Sequence, residues 1–221
     1  RVVSKWADFS EIGVNWTGID EFFATMEKMR LGVNFGTLVG YGTLRRGVAG
    51  NDPAPLSLER REEIRLLLNR SIAQGAFGLS LGLSYGHERV STTEELIEIS
   101  EPLAERGGVL KIHLRSEGME VLGAVNEAVR IAREAGITVV ISHFKVIGRK
   151  AWPDAKKALE IIATARESGV DIHFDVSPYR TTGSQLYLLI PAWARRGGFE
   201  DLFARIDSQI EHKRIIEALE H

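Results

Sequence analysis

The sequence predicts an α/β protein in which successive βα units build one parallel sheet. Short apolar runs typical of buried strands alternate with longer segments whose apolar residues recur at i, i+3, i+4 and i+7, the spacing of an amphipathic helix. The repeat is about 30 residues long, the length of a strand with its crossover helix. Three of the helical segments end at a glycine just before the next strand, at Gly75, Gly136 and Gly169. This alternation favours a parallel sheet.

Five apolar runs are the predicted strands. In chain order they are VNFGTLVG from Val33, AFGLSLGL from Ala76, VLKIHLR from Val109, TVVISHF from Thr138 and VDIHFDV from Val170. Their content of β-branched and aromatic residues is typical of strands.

Helical periodicity predicts seven helices around these strands. They are GIDEFFATMEKMR from Gly18, SLERREEIRLLLNRSIAQG from Ser57, TEELIEISEPLAERG from Thr93, MEVLGAVNEAVRIAREAG from Met119, DAKKALEIIATARESG from Asp154, FEDLFARIDS from Phe199 and SQIEHKRIIEALEH from Ser208. The segments STTEE and WPDA supply helix start signals before two of them. A long irregular segment, SPYRTTGSQLYLLIPAWARRGG, separates the fifth strand from the last two helices.

Two architectures fit five βα units in a single domain. One is an open, doubly wound sheet, and the other is a contiguous part of a closed (β/α)₈ barrel, which needs eight units and about 250 residues. Periodicity alone does not choose between them. In both, ligands bind at the carboxyl ends of the strands.

Composition excludes several classes of partner. The chain has 221 residues, a formal net charge of -2 and no cysteine. Its scattered charges give no reason to expect nucleic acid or membrane as a partner. Any metal must be held by nitrogen and oxygen, and a cytoplasmic location is expected. Because the first residue is Arg1 rather than methionine, we expect a piece of a longer protein.

Two histidines occupy the ends of neighbouring predicted strands. His113 and His143 lie one βα repeat apart, so their imidazoles are expected to face each other as half of a metal site. The alternative is that each is a hydrogen-bonded core or rim residue. Lys145 is expected on the same face as His143, because residues two apart in a strand point to one side. It is either a solvated rim lysine or an anion contact.

Other polar residues near the strand ends have weaker cases. Asp175 is expected to orient a neighbour or to support a ligand. Arg115 and Glu117 either pair with each other or support a metal ligand, and His87 is interpreted as an exposed loop residue. The sequence contains neither a P-loop nor a Gly-x-Ser-x-Gly element.

Five motifs in a fixed order carry a family resemblance. They are VGYGTLR (39–45), GAFGLSLGLSY (75–85), HLRSEG (113–118), SHFK (142–145) and DVSPYRTTGS (175–184). Together they resemble the D-aminoacylases, the N-acyl-D-amino-acid deacylases of the amidohydrolase superfamily, and the resemblance runs to about Ser208. That family has a zinc-bearing (β/α)₈ barrel with an additional β-domain and hydrolyses the amide of N-acyl-D-amino acids. The resemblance implies that the five strands are the third to seventh of such a barrel.

The resemblance also implies roles for individual residues. His113 and His143 match the family's zinc ligands, while Lys145, Tyr85 and Ser184 match its contacts with the substrate carboxylate. The first, second and eighth strands, which carry the remaining ligands and the catalytic aspartate, have no counterpart here, nor has the β-domain. The whole chain, 1–221, is therefore expected to be an internal fragment of the catalytic barrel that holds no catalytic residue.

The chain departs from the family at two motif positions. Tyr41 stands where the family commonly has histidine, and Ser177 stands where it has the first tyrosine of Tyr-Pro-Tyr. A cyclic-amide hydrolase of the dihydroorotase type therefore stays open, as does a non-catalytic scaffold or assembly module. The isolated chain is expected to have little or no activity, to bind zinc weakly, and to self-associate through its open sheet edges.

Overall fold

A computed structural model describes residues 16–29, 31–50, 52, 54–179, 181, 183, 186–191 and 193–220. Its centre is a five-stranded, wholly parallel sheet with strand order β1-β2-β3-β4-β5. The strands are β1 Val39–Gly40, β2 Gly78–Gly82, β3 Val109–His113, β4 Thr138–Ile141 and β5 Ile172–Phe174. Each lies inside a predicted run, and the fold prediction of five parallel βα units is confirmed.

The described residues form nine α-helices. They are α1 Ile19–Lys28, α2 Tyr41–Ala49, α3 Leu58–Ala73, α4 Gly86–Arg89, α5 Thr93–Arg106, α6 Val121–Ala135, α7 Asp154–Glu167, α8 Phe199–Asp207 and α9 Gln209–Glu220, and a 3₁₀ turn covers Leu186–Leu189. All seven predicted helices are present. In the part of the chain that the structure describes, none of them is long and apolar enough to cross a bilayer.

Two helices were not predicted. The α2 segment contains two glycines and buries the charged Arg45, which is 1% exposed, so its inward face lacks the apolar periodicity that reveals a helix. The Arg45 side chain donates to the carbonyls of His87, Asp52 and Ala54. The other, α4, has only four residues, too few for a periodic pattern.

Local signals explain where the crossover helices begin and end. The Thr92 hydroxyl caps α5 by accepting a hydrogen bond from the Glu95 N–H at 3.2 Å. Gly107 and Gly136 follow α5 and α6 in the left-handed conformation, with φ of 62° and 64°. Glycine adopts this conformation without a Cβ penalty, which is why it ends helices so often.

The main core lies between one face of the sheet and helices α3, α5, α6 and α7. Apolar side chains pair in two rows across the strands: Leu79, Leu110, Val139 and Ile172 form the first, and Leu81, Ile112 and Ile141 form the second. All of them are 0 to 4% exposed. Ala194, Leu202 and Ile215 form a smaller, separate cluster near α8 and α9.

Candidate metal and substrate site

The two predicted histidines meet at the carboxyl edge of the sheet. His113 is the last residue of β3, and His143 follows the end of β4 by two residues. Their ring centroids are 4.6 Å apart, with the ring planes at 79°. This distance confirms that the two histidines are close together. They meet because neighbouring parallel strands end at the same edge of the sheet.

The backbone at His143 is unusual. Among the described residues, His143 alone has a positive φ without being a glycine, and its φ is 40°. L-residues seldom occupy this region of backbone conformation. The His143 N–H donates to the Asp175 carboxylate at 2.5 Å, and the Phe144 N–H donates to the Asp175 carbonyl at 2.7 Å. Lys111 lies 2.8 Å from the same carboxylate. Asp175 therefore contacts His143 through the main chain and not through the imidazole.

Glu117 and Lys145 complete a tight polar cluster with His143. The Glu117 carboxylate lies 3.1 Å from His143 Nδ1 and 2.6 Å from Lys145 Nζ. Lys145 Nζ is also 2.9 Å from His143 Nδ1. The Glu117 side chain is only 10% exposed, so this carboxylate is largely removed from water and is matched by a cation.

Of the two interpretations of Arg115 and Glu117, the one in which they pair with each other is wrong. The Arg115 guanidinium binds Glu127 of α6 in a two-pronged contact of 2.7 and 2.9 Å. It also donates to the carbonyls of Arg89 and Ser91. Arg115 thus ties the loop after β3 to α6, to the end of α4 and to the residues before α5, while Glu117 contacts His143.

His113 lies in a partly buried environment beside Ser84 and Tyr85. Its Nε2 is 3.0 Å from the Ser84 hydroxyl, and the Tyr85 ring centroid is 5.6 Å from its own. Burial lowers the pKa of His113, which favours the neutral imidazole that a metal requires. Burial, with Glu88 and then Glu117 nearby, raises the pKa of Tyr85. The sequence does not predict the contact of Ser84 with His113, because a serine in a turn carries no distinctive pattern.

Three further predicted positions are settled differently. His87 belongs to α4 and contacts Arg46 and Glu88, with a side chain only 25% exposed, so its interpretation as an exposed loop residue is wrong. Tyr41 is fully buried, and its hydroxyl is bound to Glu95 at 2.6 Å and to Ser91 at 2.7 Å. Tyr41, one of the two motif positions that depart from the family pattern, is therefore a residue of the core. Ser184 lies outside the described residues.

The ligand atoms of His113, Glu117 and His143 all lie within 4.8 Å of one another. Two imidazole nitrogens and one carboxylate oxygen form a ligand set that zinc uses at catalytic centres, with a further position left open. The residues present thus fit a zinc ion. The sequence had placed Glu117 among supporting residues only.

Known proteins resemble the chain in sequence and structure, although no family model matches it. D-Aminoacylase of Alcaligenes xylosoxydans xylosoxydans is 37% identical over 149 residues, which are 66% of this chain and 30% of the relative. N-acyl-D-glutamate deacylase of the same organism is 34% identical over 172 residues, 77% of this chain and 34% of the relative. The chain spans about a third of the length of these relatives.

A solved structure gives the same answer. N-acyl-D-glutamate deacylase from Bordetella bronchiseptica, crystallised with zinc and a phosphonate inhibitor that mimics the tetrahedral intermediate, matches with a TM-score of 0.71 at 30% identity. The match covers 73% of this chain and 34% of that one. The resemblance read from the five motifs is thereby confirmed.

Proposed function

On the premise that the chain is homologous to the D-aminoacylases over a third of their length, we propose that it supplies part of the active site of a zinc-dependent amidohydrolase. The intact enzyme cleaves the amide bond of N-acyl-D-amino acids. The observation that carries the proposal is the convergence of His113, His143 and the partly buried Glu117 carboxylate at the carboxyl edge of β3 and β4.

His113 and His143 are the proposed zinc ligands from this chain. Neutral imidazoles bind zinc through a ring nitrogen, and burial, which lowers the pKa of His113, favours the neutral ring. Zinc, when bound, acts as a Lewis acid towards the substrate carbonyl. Asp175 fixes the position of His143 by accepting its backbone N–H. The family resemblance assigns the proton-transferring aspartate to a strand outside this chain.

Lys145 and Tyr85 are the proposed substrate contacts, with Ser184 retained from the family resemblance. An N-acyl amino acid carries a negative carboxylate, and the positive Lys145 ammonium lies beside His143, a proposed metal ligand. The Tyr85 ring lies 5.6 Å from the His113 ring, whose centroid is 4.6 Å from that of His143. The two side chains would hold the substrate beside the histidine pair.

The test is a pair of substitutions in the full-length parent. We expect His143→Ala to remove bound zinc and deacylation of N-acyl-D-amino acids together. His212→Ala, on α9, is the matched control and should keep both, because the His212 imidazole contacts the Ile206 carbonyl and no proposed site residue among those described. Retention of zinc and activity in His143→Ala would refute the assignment.

The isolated 221-residue chain is a separate case. We propose that it has little or no deacylase activity, and that it self-associates through the outer edges of β1 and β5, which pair with no further strand among the described residues. Phe174 and Val176 beside the β5 edge are 40% and 59% exposed, which supports this surface. A cytoplasmic location stays a prediction.

Sedimentation velocity tests the association. Val176→Glu should shift the chain towards monomer, because a charge beside an open edge opposes strand pairing. Ile210→Glu, at a position on α9 that is 75% exposed, is the control and should leave the distribution unchanged. The reverse pattern would assign the interface to the terminal helices.

A further inference from the structure

Lys111 is a charged residue in the middle of β3. Among the residues of β1 to β5 it is the only lysine, arginine, aspartate or glutamate. Its neighbours Leu110 and Ile112 are fully buried in the core, and side chains alternate along a strand. Lys111 therefore lies on the opposite face of the sheet, as does His113 two residues further on. It takes no part in the core beneath the helices, so its role lies on that other face.

The Lys111 ammonium binds one oxygen of a carboxylate whose other oxygen is also engaged. Lys111 Nζ lies 2.8 Å from Asp175 Oδ2, and Asp175 Oδ1 accepts the His143 N–H at 2.5 Å. An ammonium and a backbone N–H are both donors and an ionised carboxylate is an acceptor, so the direction of each contact is fixed. The carboxylate therefore cannot turn without losing one of its two partners.

The Asp175 carboxylate holds an unfavourable backbone conformation. A non-glycine residue with the φ of 40° seen at His143 persists only where the surrounding structure holds it in place. The Asp175 main chain is itself anchored, because its N–H donates to the Ile141 carbonyl at 3.0 Å and its carbonyl accepts the Phe144 N–H at 2.7 Å. Rotation of the Asp175 side chain is the freedom that remains, and Lys111 restricts it.

We propose that Lys111 is a positioning residue of the site. It keeps the Asp175 carboxylate in the orientation that binds the His143 N–H, and so it fixes the turn that carries His143 and Lys145. The side chains of Lys111 and Asp175 are 41% and 47% exposed, and an ion pair so open to water contributes little to overall stability. The effect of Lys111 is therefore local. Its consequence for activity rests on the proposed function, whereas its consequence for the turn does not.

Hydrogen exchange in the full-length parent tests the effect on the turn without reference to activity. Lys111→Met removes the ammonium, so the His143 amide should exchange severalfold faster, as read by mass spectrometry of the peptide that contains it. Lys156→Met, at a side chain that is 87% exposed, is the control and should match the unmodified protein. The midpoint of urea unfolding should be the same in both variants. An unchanged exchange rate at His143 in Lys111→Met would overturn the proposal.

Steady-state kinetics of the parent on an N-acyl-D-amino acid, at saturating zinc, test the effect on the site. Lys111→Met should lower kcat/KM about tenfold, mainly through a higher KM, because Lys145 moves with the turn. Lys111→Arg keeps a cationic donor and should restore most of that loss. Asp175→Asn should also lower kcat/KM, and adding Lys111→Met to it should cause no further loss, because the two residues act as one unit. Additive losses, or no recovery in Lys111→Arg, would refute the positioning role.

The outcomes distinguish this inference from the proposed function. If His143→Ala loses zinc and activity while Lys111→Met equals Lys156→Met in exchange and in KM, the proposed function stands and the role of Lys111 is refuted. If His143→Ala keeps zinc and activity, the proposed function fails, and hydrogen exchange at His143 still decides whether Lys111 fixes the turn.

Discussion

Replacing Tyr41 by phenylalanine should destabilise the fold without changing the proposed metal ligands, His113 and His143. The hydroxyl donates to the Glu95 carboxylate at 2.6 Å and contacts the Ser91 hydroxyl at 2.7 Å. Glu95 is fully buried and Ser91 is 3% exposed, so water does not replace the lost partner. A buried acceptor left without its donor costs about 1 to 3 kcal/mol, and more when it is charged. We therefore expect the free energy of unfolding to fall by about 2 to 3 kcal/mol.

The same substitution should change the response to alkaline pH. Burial, followed by the hydrogen bond to Glu95, raises the pKa of Tyr41 above its ordinary value of 10.0. As pH rises above 10, the unfolded chain releases this proton first, so the contribution of Tyr41 to stability is full below pH 10 and is lost above it. One proton corresponds to about 1.4 kcal/mol per pH unit. The difference between the two proteins should therefore shrink by about that amount per unit above pH 10.

Urea unfolding followed by far-UV circular dichroism at pH 7 and at pH 11 measures both effects. Tyr179→Phe is the control, because Tyr179 is 77% exposed and its hydroxyl is open to water. A loss below about 0.5 kcal/mol at pH 7, the scatter of surface substitutions, would contradict the reasoning. So would a difference between Tyr41→Phe and the unmodified chain that stays constant between the two pH values.

Three other substitutions test the scaffold that positions the site. Ile112 of β3 is fully buried, so Ile112→Ala should lower the free energy of unfolding in urea by about 2 to 5 kcal/mol. Leu66 is 60% exposed, so the control Leu66→Ala should lower it by under about 0.5 kcal/mol. Equal losses in the two variants would argue against the core described. Arg115→Met leaves the Glu127 carboxylate without its guanidinium, and since the pair is partly exposed we expect about 2 kcal/mol; a neutral result would mean that water already screens it. Thr92→Ala removes the cap of α5 and should lower the thermal midpoint, at a cost of about 1 kcal/mol.

The strands and crossover helices were predictable because their burial follows a simple period. Strands β3 and β4 bury alternate residues, as Leu110 and Ile112 of β3 show, and apolar runs in the sequence indicate such burial. Helix α2 was missed for the opposite reason. Its buried face carries Arg45, which donates to the carbonyls of His87 in α4 and of Ala54 in the loop after α2, and no sequence pattern reveals such partners.

The histidine pair was predictable, whereas its surroundings were not. Parallel strands of similar length end at one edge, so His113 and His143 had to be neighbours once the repeat was recognised. The partner of Arg115 depends on the path of a loop and on a carboxylate, Glu127, that lies on the next helix. Local spacing made Glu117 the obvious partner, but helix α6 offers a two-pronged acceptor at 2.7 Å, which is the stronger contact for a guanidinium.

Lys145 lies beside His143 as expected, but not for the reason that strand alternation gave. Strand alternation was expected to bring it to the side of His143, yet β4 ends at Ile141 and both residues lie beyond it. They meet because His143 adopts a φ of 40°, which turns the chain where an extended strand would have continued. Asp175 stabilises that turn by accepting the His143 N–H. The arrangement of His143, the proposed metal ligand, and Lys145, the proposed substrate contact, therefore depends on a carboxylate from the neighbouring strand end, and Asp175→Asn should disturb both together.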